Sequence, residues 1–265
     1  MESKINRYSN QLILINSLFI ILWLVVSIFP FIWTFWGSFK VKADFFSRAD
    51  WMFAVTGVNT LIETGDTSTV KAYVESWTEG EFWKATMNTI IITVSVVTIS
   101  LFLGTLGAYA LSRSTYKYTF LILIAALIFR AMPHITLVSG YLFPFFQLNV
   151  WGILPTTIIV LVAINQPFTL WLLYSFFKTV PKELDESALI DGCSYFQAFR
   201  FVIMPVMWPG VVTAGLFSMM LAYNDFTVTS LLLNQQNYTM VPKINAYLGT
   251  IEHSGNYMWA VSSVV

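Results

Sequence analysis

Long stretches without any charged residue constrain the fold of this chain more than any other feature. No charge occurs between Arg7 and Lys40, between Lys84 and Arg113, or within residues 152–177. An α-helix rises about 1.5 Å per residue, so about 20 apolar residues cross a hydrocarbon core that is ~30 Å thick. Charged residues make up 11% of the 265 residues, against about a quarter in a typical soluble domain. The sequence therefore predicts an all-α, polytopic membrane protein.

Five complete transmembrane helices are expected, at residues 12–36, 88–111, 118–141, 152–177 and 206–224. A further apolar run at 257–265 is too short to cross a bilayer and is expected to begin a sixth helix. Three regions follow from this division. They are the N-terminus with the first helix (1–36), an extracytoplasmic segment (37–84), and a core with the remaining helices (85–265) that contains a polar loop at 178–205.

Polar residues inside the predicted spans are few. A buried Arg costs ~2.5–3.5 kcal/mol on insertion scales, so Arg130 in the third span should face the bundle interior or water. It either lines a transport pathway or bonds to the carbonyls of a neighbouring helix. Asn165 and Gln166 precede Pro167, which should interrupt the fourth span. Such a break holds substrate in many transporters, although a proline kink can also serve packing alone.

Small residues mark one face of the fifth span. They recur at every fourth position and are Gly210, Ala214, Ser218 and Ala222. Gly104 and Gly107 lie near the end of the second span. Small side chains let helix backbones approach closely in lipid. We therefore expect close helix contacts here, and the face of the fifth span packs either within the bundle or against a partner subunit.

The polar stretch at 181–205 has the pattern of two short helices. Pro181 suits a first helical turn, where its missing N–H needs no partner. Negative charge is favoured at the same end of a helix, and the acids there are Glu183, Asp185 and Glu186. Gly192 is typical of the position just past a helix end, where a positive φ is common.

A second short helix is expected directly after Gly192. Ser194 and Gln197 have the spacing of a capping box. Apolar residues at i, i+3 and i+7 indicate one buried face, formed by Phe196, Phe199 and Ile203. Pro205 should end this helix.

The distribution of Lys and Arg predicts the orientation of the chain. Basic residues occur before the first span, after the second and around the polar loop. They are Lys4, Arg7, Arg113, Lys117, Lys178, Lys182 and Arg200. Cytoplasmic loops carry an excess of Lys and Arg. The N-terminus and the polar loop are therefore expected in the cytoplasm, and segment 37–84 outside.

The polar loop also resembles a known family motif. Glu186-Ser187-Ala188, three residues, Gly192, nine residues and Val202-Ile203-Met204-Pro205 resembles the EAA motif of ABC importer permeases. In that family the loop is cytoplasmic and docks on a separate ATPase subunit. The resemblance implies a coupling role for Glu183, Glu186, Ser187, Ala188, Asp191, Gly192 and Pro205.

Two further segments resemble sugar-importer permeases, above all the second permease of maltose-type importers. They are Ala108-Tyr109-Ala110-Leu111-Ser112-Arg113 and Tyr223-Asn224-Asp225-Phe226. The resemblance implies a type I ABC importer permease in a bacterial cytoplasmic (inner) membrane. Its expected partners are a second permease subunit, an ABC ATPase dimer and an extracytoplasmic solute-binding protein. Family members complete a sixth helix, so the chain is expected to be incomplete at its C-terminus.

The candidate substrate pathway combines the polar residues of the spans with those at the end of the fifth span. It consists of Arg130, Asn165, Gln166, Asn224 and Asp225. Asn224 and Asp225 either line the outer mouth or only anchor the helix end. The alternative within transport is an ABC permease for a non-sugar solute such as a polyamine.

Other classes of function lack their motifs in this sequence. There is no Gly-x-x-x-x-Gly-Lys phosphate loop, so the chain is not expected to hydrolyse ATP itself. The single cysteine, Cys193, excludes an intramolecular disulfide and a cysteine metal cluster. His134 has no second His or carboxylate at helical spacing, so no metal, catalytic or cofactor site is expected, and an intramembrane enzyme is disfavoured. No filter loop or charged ring indicates an ion channel, and the zero net charge gives no indication of a nucleic-acid partner.

Overall fold

The computed structural model of the chain describes residues 2–37 and 73–249, apart from 75 and 79. Within these residues every assigned element is helical, as the sequence predicts. The predicted extracytoplasmic segment lies mostly outside the described residues, and the run at 257–265 lies wholly outside them. The chain divides into two compact units, one formed by residues 1–82 with 244–265 and the other by 83–243.

Helix α1, Glu2–Gly37, is the long helix of the first unit. Its stretch Leu12–Phe35 is long and apolar enough to cross a bilayer, and none of it is buried by the chain itself. The large apolar side chains of this stretch, such as Leu18, Trp23 and Phe31, are therefore exposed. Such a surface is stable in lipid or against another membrane helix.

From residue 82 onward the described chain is a succession of helices. They are α2 (Phe82–Arg113), α3 (Thr119–Ala131), α4 (His134–Gln147), α5 (Leu154–Thr179), α6 (Glu183–Ile190), α7 (Tyr195–Ala198), α8 (Met204–Tyr223), α9 (Thr227–Leu232) and α10 (Met240–Gly249). A π-helical turn, Phe199–Ile203, joins α7 to α8. Helix α5 is the centre of the second unit, because α3, α8 and α9 all pack against it.

Four of the described helical segments are long and apolar enough to span a membrane: Leu12–Phe35, Phe82–Arg113, Leu154–Thr179 and Tyr195–Tyr223. The third span predicted at 118–141 is not one straight helix, because the chain bends by 83° between α3 and α4. Met132 is extended there and Pro133 precedes α4, as expected because a residue before proline is disfavoured in the α region. The bent pair makes a fifth crossing if it counts as one span.

The interruption of the fourth span predicted at Pro167 is wrong, because α5 runs unbroken from Leu154 to Thr179. Proline removes one N–H, and a membrane helix tolerates that loss where neighbouring structure supports it. Asn165 is buried, and the Gln166 side chain donates to the Ser100 carbonyl of α2 at 3.4 Å. Packing against neighbouring helices therefore keeps α5 continuous.

Pro205 does not end a helix, contrary to the sequence prediction. Helical structure runs from Tyr195 to Tyr223, and Pro205 lies in the first turn of α8. A proline ring clashes with the carbonyl four residues back in a regular α-helix. The turn before it is π-helical, with the Met204 N–H bonded to the Phe199 carbonyl five residues back. This wider turn gives the proline a place inside a continuous helical run.

The small-residue face of α8 packs within the bundle, which decides between its two alternatives. All four members are buried: Gly210, Ala214, Ser218 and Ala222. A Cβ added to Gly210 would lie 2.8 Å from Cγ of Phe176 on α5. Gly104 and Gly107 of α2 likewise face side chains of α5, so both predicted glycine contacts are confirmed.

The apolar interior of the second unit forms two clusters along α5. One contains Val160 and Leu161 of α5 and residues of α2, α4, α8 and α9. The other lies beside the polar loop and contains Phe177, Phe199 and Ile203. The buried face predicted for the second short helix is therefore right for Phe199 and Ile203. It is wrong for Phe196, which is 62% exposed.

Gly210→Ala should destabilise the bundle, because the added methyl group meets the inner atoms of the Phe176 side chain. Overpacking of this kind costs roughly 1–3 kcal/mol. Gly140→Ala is the matched control, since Gly140 is also helical and an added Cβ there meets no atom within 4 Å. Thermal unfolding of the detergent-purified variants is the measurement. Equal stability of the two variants would contradict the close contact of α8 with α5.

Candidate functional site

The polar loop, residues 181–205, is called the elbow below, and it folds as the two short helices that the sequence predicts. Helix α6 ends at Ile190, and Gly192 follows with a φ of +88°. The N–H groups of Gly192 and Cys193 bond to the carbonyls of Leu189 and Ala188, at 3.1 and 3.0 Å. These are the paired bonds of a Schellman motif, which needs the left-handed conformation that glycine adopts most easily.

The second helix of the elbow begins with the predicted capping box. The Gln197 N–H donates to the Ser194 hydroxyl at 3.3 Å, and the Ser194 N–H donates to the Gln197 side-chain oxygen at 2.8 Å. The start of the first helix differs slightly from the prediction. Lys182 is the residue that precedes α6, so Pro181 lies outside the first turn.

Most of the residues with an implied coupling role face away from the bundle. The exposed members are Glu183, Glu186, Ser187, Asp191, Gly192 and Pro205, whereas Ala188 is buried. Large apolar side chains near the acids are exposed as well: Ile190, Tyr195 and Phe196. A patch of acidic and aromatic side chains on a well-capped helical elbow is suited to docking on another protein.

Asp185 is the exception among the acids of the elbow, because it turns into the bundle and is 8% exposed. Its Oδ2 lies 2.8 Å from Nε of Arg113 at the end of α2. Its Oδ1 accepts a hydrogen bond from the Tyr109 hydroxyl at 2.5 Å. Arg113 Nη1 also donates to the carbonyls of Phe177 and Val180, at 3.2 and 3.1 Å. The elbow is thus fastened to α2 and to the C-terminal end of α5.

No feature singled out in the sequence marked Asp185 as a buried residue. The spacing could have indicated its burial, because Asp185 and Ala188 are three residues apart and so share one face of α6. An acid on the buried face of a helix needs a partner. Arg113 is the last residue of the segment 108–113 that resembles sugar-importer permeases. It is therefore the natural candidate for the partner of Asp185.

A second group of polar residues surrounds a cavity of about 360 Å³. Its polar lining includes Arg130, His134, Asn165, Asn224 and Asp225. Four of the five predicted pathway residues therefore lie together. Gln166 is not among the lining residues, because it contacts Ser100 of α2 instead. His134 was not predicted for this site, although it stands four residues after Arg130.

Arg130 faces the cavity rather than the carbonyls of a neighbouring helix. Its Nη1 lies 3.2 Å from Nε2 of His134, and its guanidinium lies 5.8 Å from the centre of the Phe168 ring. Arg130 lies in the last turn of α3 and His134 begins α4, so the two side chains meet across the bend. Within the described residues, Arg130 has no carboxylate within ion-pair distance, so its charge is available to a polar ligand.

Asp225 and Asn224 both line the cavity and anchor helix ends. Asp225 Oδ1 accepts hydrogen bonds from the N–H groups of Val228 and Thr229 at the start of α9, at 2.9 and 3.0 Å. The Asn224 amide donates to the Met220 carbonyl at 3.0 Å. Both residues therefore anchor helix ends, as the second alternative has it, and both also line the cavity. Burial raises the pKa of Asp225 above its ordinary value of 3.8, although the backbone bonds from α9 act in the opposite direction.

Comparison with known proteins places the chain among transporter subunits. The family described as "Binding-protein-dependent transport system inner membrane component" matches residues 100–265. The diacetylchitobiose uptake system permease protein NgcG of Streptomyces coelicolor is 28% identical over 268 residues, covering 95% of this chain and 80% of NgcG. The trehalose/maltose transport system permease protein MalG of Thermococcus litoralis is 32% identical over 225 residues, covering 84% and 76% of the two chains.

One solved structure has the same fold. It is a bacterial ABC transporter involved in the import of the acidic polysaccharide alginate, and one of its chains superimposes with a TM-score of 0.72. The match covers 95% of this chain and 90% of that one, at 19% sequence identity. This likeness is one of fold, and it supports a helical membrane bundle.

The raised pKa of Asp225 makes stability depend on pH. The folded protein holds this proton more tightly than the unfolded chain, so stability falls as the pH rises from the ordinary value through the raised one. Asp225→Asn should remove this loss while keeping an oxygen that caps α9. The measurement is the unfolding temperature in detergent against pH for both proteins. Identical pH dependence of the two would contradict the burial of an ionisable Asp225.

Proposed function

The chain belongs to the family of binding-protein-dependent transport system inner membrane components, and from this premise we propose that it carries a sugar or oligosaccharide into a bacterial cell. It is a multi-pass subunit of an ABC importer rather than an enzyme, since ATP hydrolysis in these importers resides on a separate subunit. The observation that carries the proposal is the exposed acidic part of the elbow, residues 183–191, which lies between the candidate spans Leu154–Thr179 and Tyr195–Tyr223.

A saccharide is favoured over the polyamine alternative by what the relatives carry. The names of NgcG and MalG specify diacetylchitobiose and trehalose or maltose. A neutral, hydroxyl-rich solute also suits the cavity, whose lining mixes amide and charged groups with aromatic side chains such as Phe217. Polyamines are cations, and the Arg130 guanidinium would repel them.

In the proposed cycle an ATPase dimer binds the exposed face of the elbow. Glu183, Glu186 and Asp191 supply negative charge, and Tyr195 and Phe196 supply apolar contact. The turn at Gly192 and the capping box fix the angle between the two short helices, so the elbow moves as a nearly rigid body. ATP-driven closure of the dimer would then switch the bundle between outward- and inward-facing states.

The cavity is our proposed segment of the translocation pathway. Arg130 and Asn165 lie on α3 and α5, and Asn224 and Asp225 follow α8. These helices are the ones that must shift if the elbow moves. A sugar hydroxyl can accept from the Arg130 guanidinium and donate to the amide or carboxylate oxygens.

The orientation we propose puts the N-terminus and the elbow in the cytoplasm. Arg113, beside the basic loop that ends α2, contacts Asp185 of the elbow, so both basic loops lie on the same side, as the positive-inside rule requires. A solute-binding protein would then deliver the sugar from the opposite side. A second permease subunit would complete a type I importer, in which the bent pair α3–α4 counts as one crossing.

Copurification tests the proposal most directly. A tagged form of the chain should bring with it an ABC ATPase and a second permease when it is extracted from its native membrane. The purified complex, reconstituted with its solute-binding protein, should take up a labelled disaccharide or oligosaccharide at the expense of ATP. Isolation of the chain without an ATPase, or uptake of polyamines alone, would contradict the proposal.

Glu186→Gln should reduce coupling, because it removes one exposed charge of the surface that we assign to the ATPase. We expect sugar uptake to fall roughly tenfold, in line with coupling energies of ~1–3 kcal/mol, while the amount of the chain in the membrane stays unchanged. Glu186→Asp keeps the charge and should retain most of the uptake. Full uptake by Glu186→Gln would exclude this carboxylate from the docking surface.

Arg130→Gln should raise KM for uptake by about tenfold, because a hydrogen bond to a charged group contributes ~1.5–3 kcal/mol. Copurification of the ATPase should be unaffected. Gln166→Met is the control, since Gln166 contacts α2 rather than the cavity, and its KM should match that of the wild type. An effect at Gln166 without one at Arg130 would place the pathway on the other side of α5.

A further inference from the structure

The inward face of α6 carries the contact that we consider here. We propose that Asp185, Arg113 and Tyr109 form a joint through which the elbow moves α2 and α5 together. The proposal rests on the coupling function proposed above, and it adds positioning residues that lie outside the EAA-like motif. These three residues are called the Asp185 joint below.

Burial distinguishes Asp185 from the other acids of the elbow. It is 8% exposed, whereas Glu183, Glu186 and Asp191 are exposed. A buried carboxylate is costly unless it is paired and hydrogen-bonded. One oxygen of Asp185 accepts a hydrogen bond from the Tyr109 hydroxyl, and the other is ion-paired with the Arg113 guanidinium. Separating α6 from α2 would therefore leave a charge without a partner, and this keeps the two helices together when either one moves.

Arg113 extends the joint to a third helix. Helix α5 ends at Thr179, and the last carbonyls of a helix have no partner within it. Arg113 Nη1 donates to two of the carbonyls at this end, those of Phe177 and Val180, while its Nε faces Asp185. A single guanidinium thus connects α2, α5 and α6.

Tyr109 is held in place by two aromatic neighbours, one before the elbow and one within it. Its ring centre lies 5.7 Å from that of Phe177 on α5 and 4.9 Å from that of Phe199 in the π-helical turn. Arg113 also lies over the same ring, at 5.8 Å. These contacts fix the position of the hydroxyl that reaches Asp185, and they connect the joint to the segment that leads into α8.

The two faces of α6 therefore have different tasks. The outer face presents acids to the ATPase, and the inner face holds the bundle through Asp185. Loss of the inner contact should leave ATPase binding intact but reduce the transport obtained from each ATP. Loss of the outer acids should instead weaken the response to the ATPase itself. This difference separates the joint from the docking surface.

The test uses the complete importer, reconstituted with its solute-binding protein, and measures ATP hydrolysed and sugar taken up. Asp185→Asn and Arg113→Gln should copurify with the ATPase at wild-type amounts. Their ratio of sugar to ATP should fall by roughly tenfold. Lys117→Gln is the matched control, because Lys117 is a basic residue of the same loop but is exposed, and its ratio should equal that of the wild type. Failure of the wild-type complex itself to couple uptake to ATP would refute the proposed function, independently of any variant.

Two further variants keep the proposal falsifiable if a single substitution prevents folding. The double variant Asp185→Asn/Arg113→Gln should be no worse than Arg113→Gln alone, because Arg113→Gln already removes the ion pair through which Asp185 meets Arg113. Tyr109→Phe removes only a hydroxyl and should lower the sugar-to-ATP ratio without affecting assembly. Any of three results would overturn the proposed role of the Asp185 joint. They are an unchanged sugar-to-ATP ratio in Tyr109→Phe, a normal ratio in the assembled single variants, and losses that add in the double variant.

Discussion

Hydrocarbon offers no hydrogen-bond partner to a backbone N–H or C=O, and the rest of this structure depends on that constraint. Helices satisfy their own backbone groups, which is why the described chain is built from them. Lipid also gives apolar helices no hydrophobic reason to associate, so they are held together by close packing. For this reason α8 meets α5 along a face of small residues, where Gly210 lies against Phe176. Helix α2 approaches α5 in the same way at Gly104 and Gly107.

The same constraint explains where charge is found inside the second unit. A charged group within an apolar bundle must be paired or hydrated. At the Asp185 joint the charged and polar groups are paired with one another, and the result is a firm connection between the elbow and α2. Around the cavity they do not form such a pair: Asp225 caps α9, and Arg130 contacts His134. Groups that are held in place but not neutralised by one another can bind a solute. The two arrangements therefore suit the two tasks of a permease, which are to receive movement and to let a solute pass.

Local sequence rules were reliable in the elbow and unreliable for the prolines of the spans. The turn at Gly192 and the capping box at Ser194 depend on atoms only a few residues apart, so their geometry follows from the adjacent sequence. The effect of a proline depends on its surroundings. Pro133 lies where two helices meet at 83°, Pro167 lies inside an unbroken helix, and Pro205 follows a π-helical turn within one. Each removes one backbone donor, and the packing around it decides whether the helix continues.

The sequence by itself determined the apolar stretches, the acidic elbow with its caps, and the motif that connects the chain with importer permeases. All of these are properties of consecutive residues, and hydropathy, charge and spacing can be counted along the chain. Only the tertiary structure decided that Asp185 meets Tyr109, which lies 76 positions earlier, and that Arg130, Asn165 and Asp225 surround one cavity while Gln166 turns to α2. The physical reason is that the buried face of a helix is set by the helices that pack against it. Residues from distant spans come into contact only when those helices are in place.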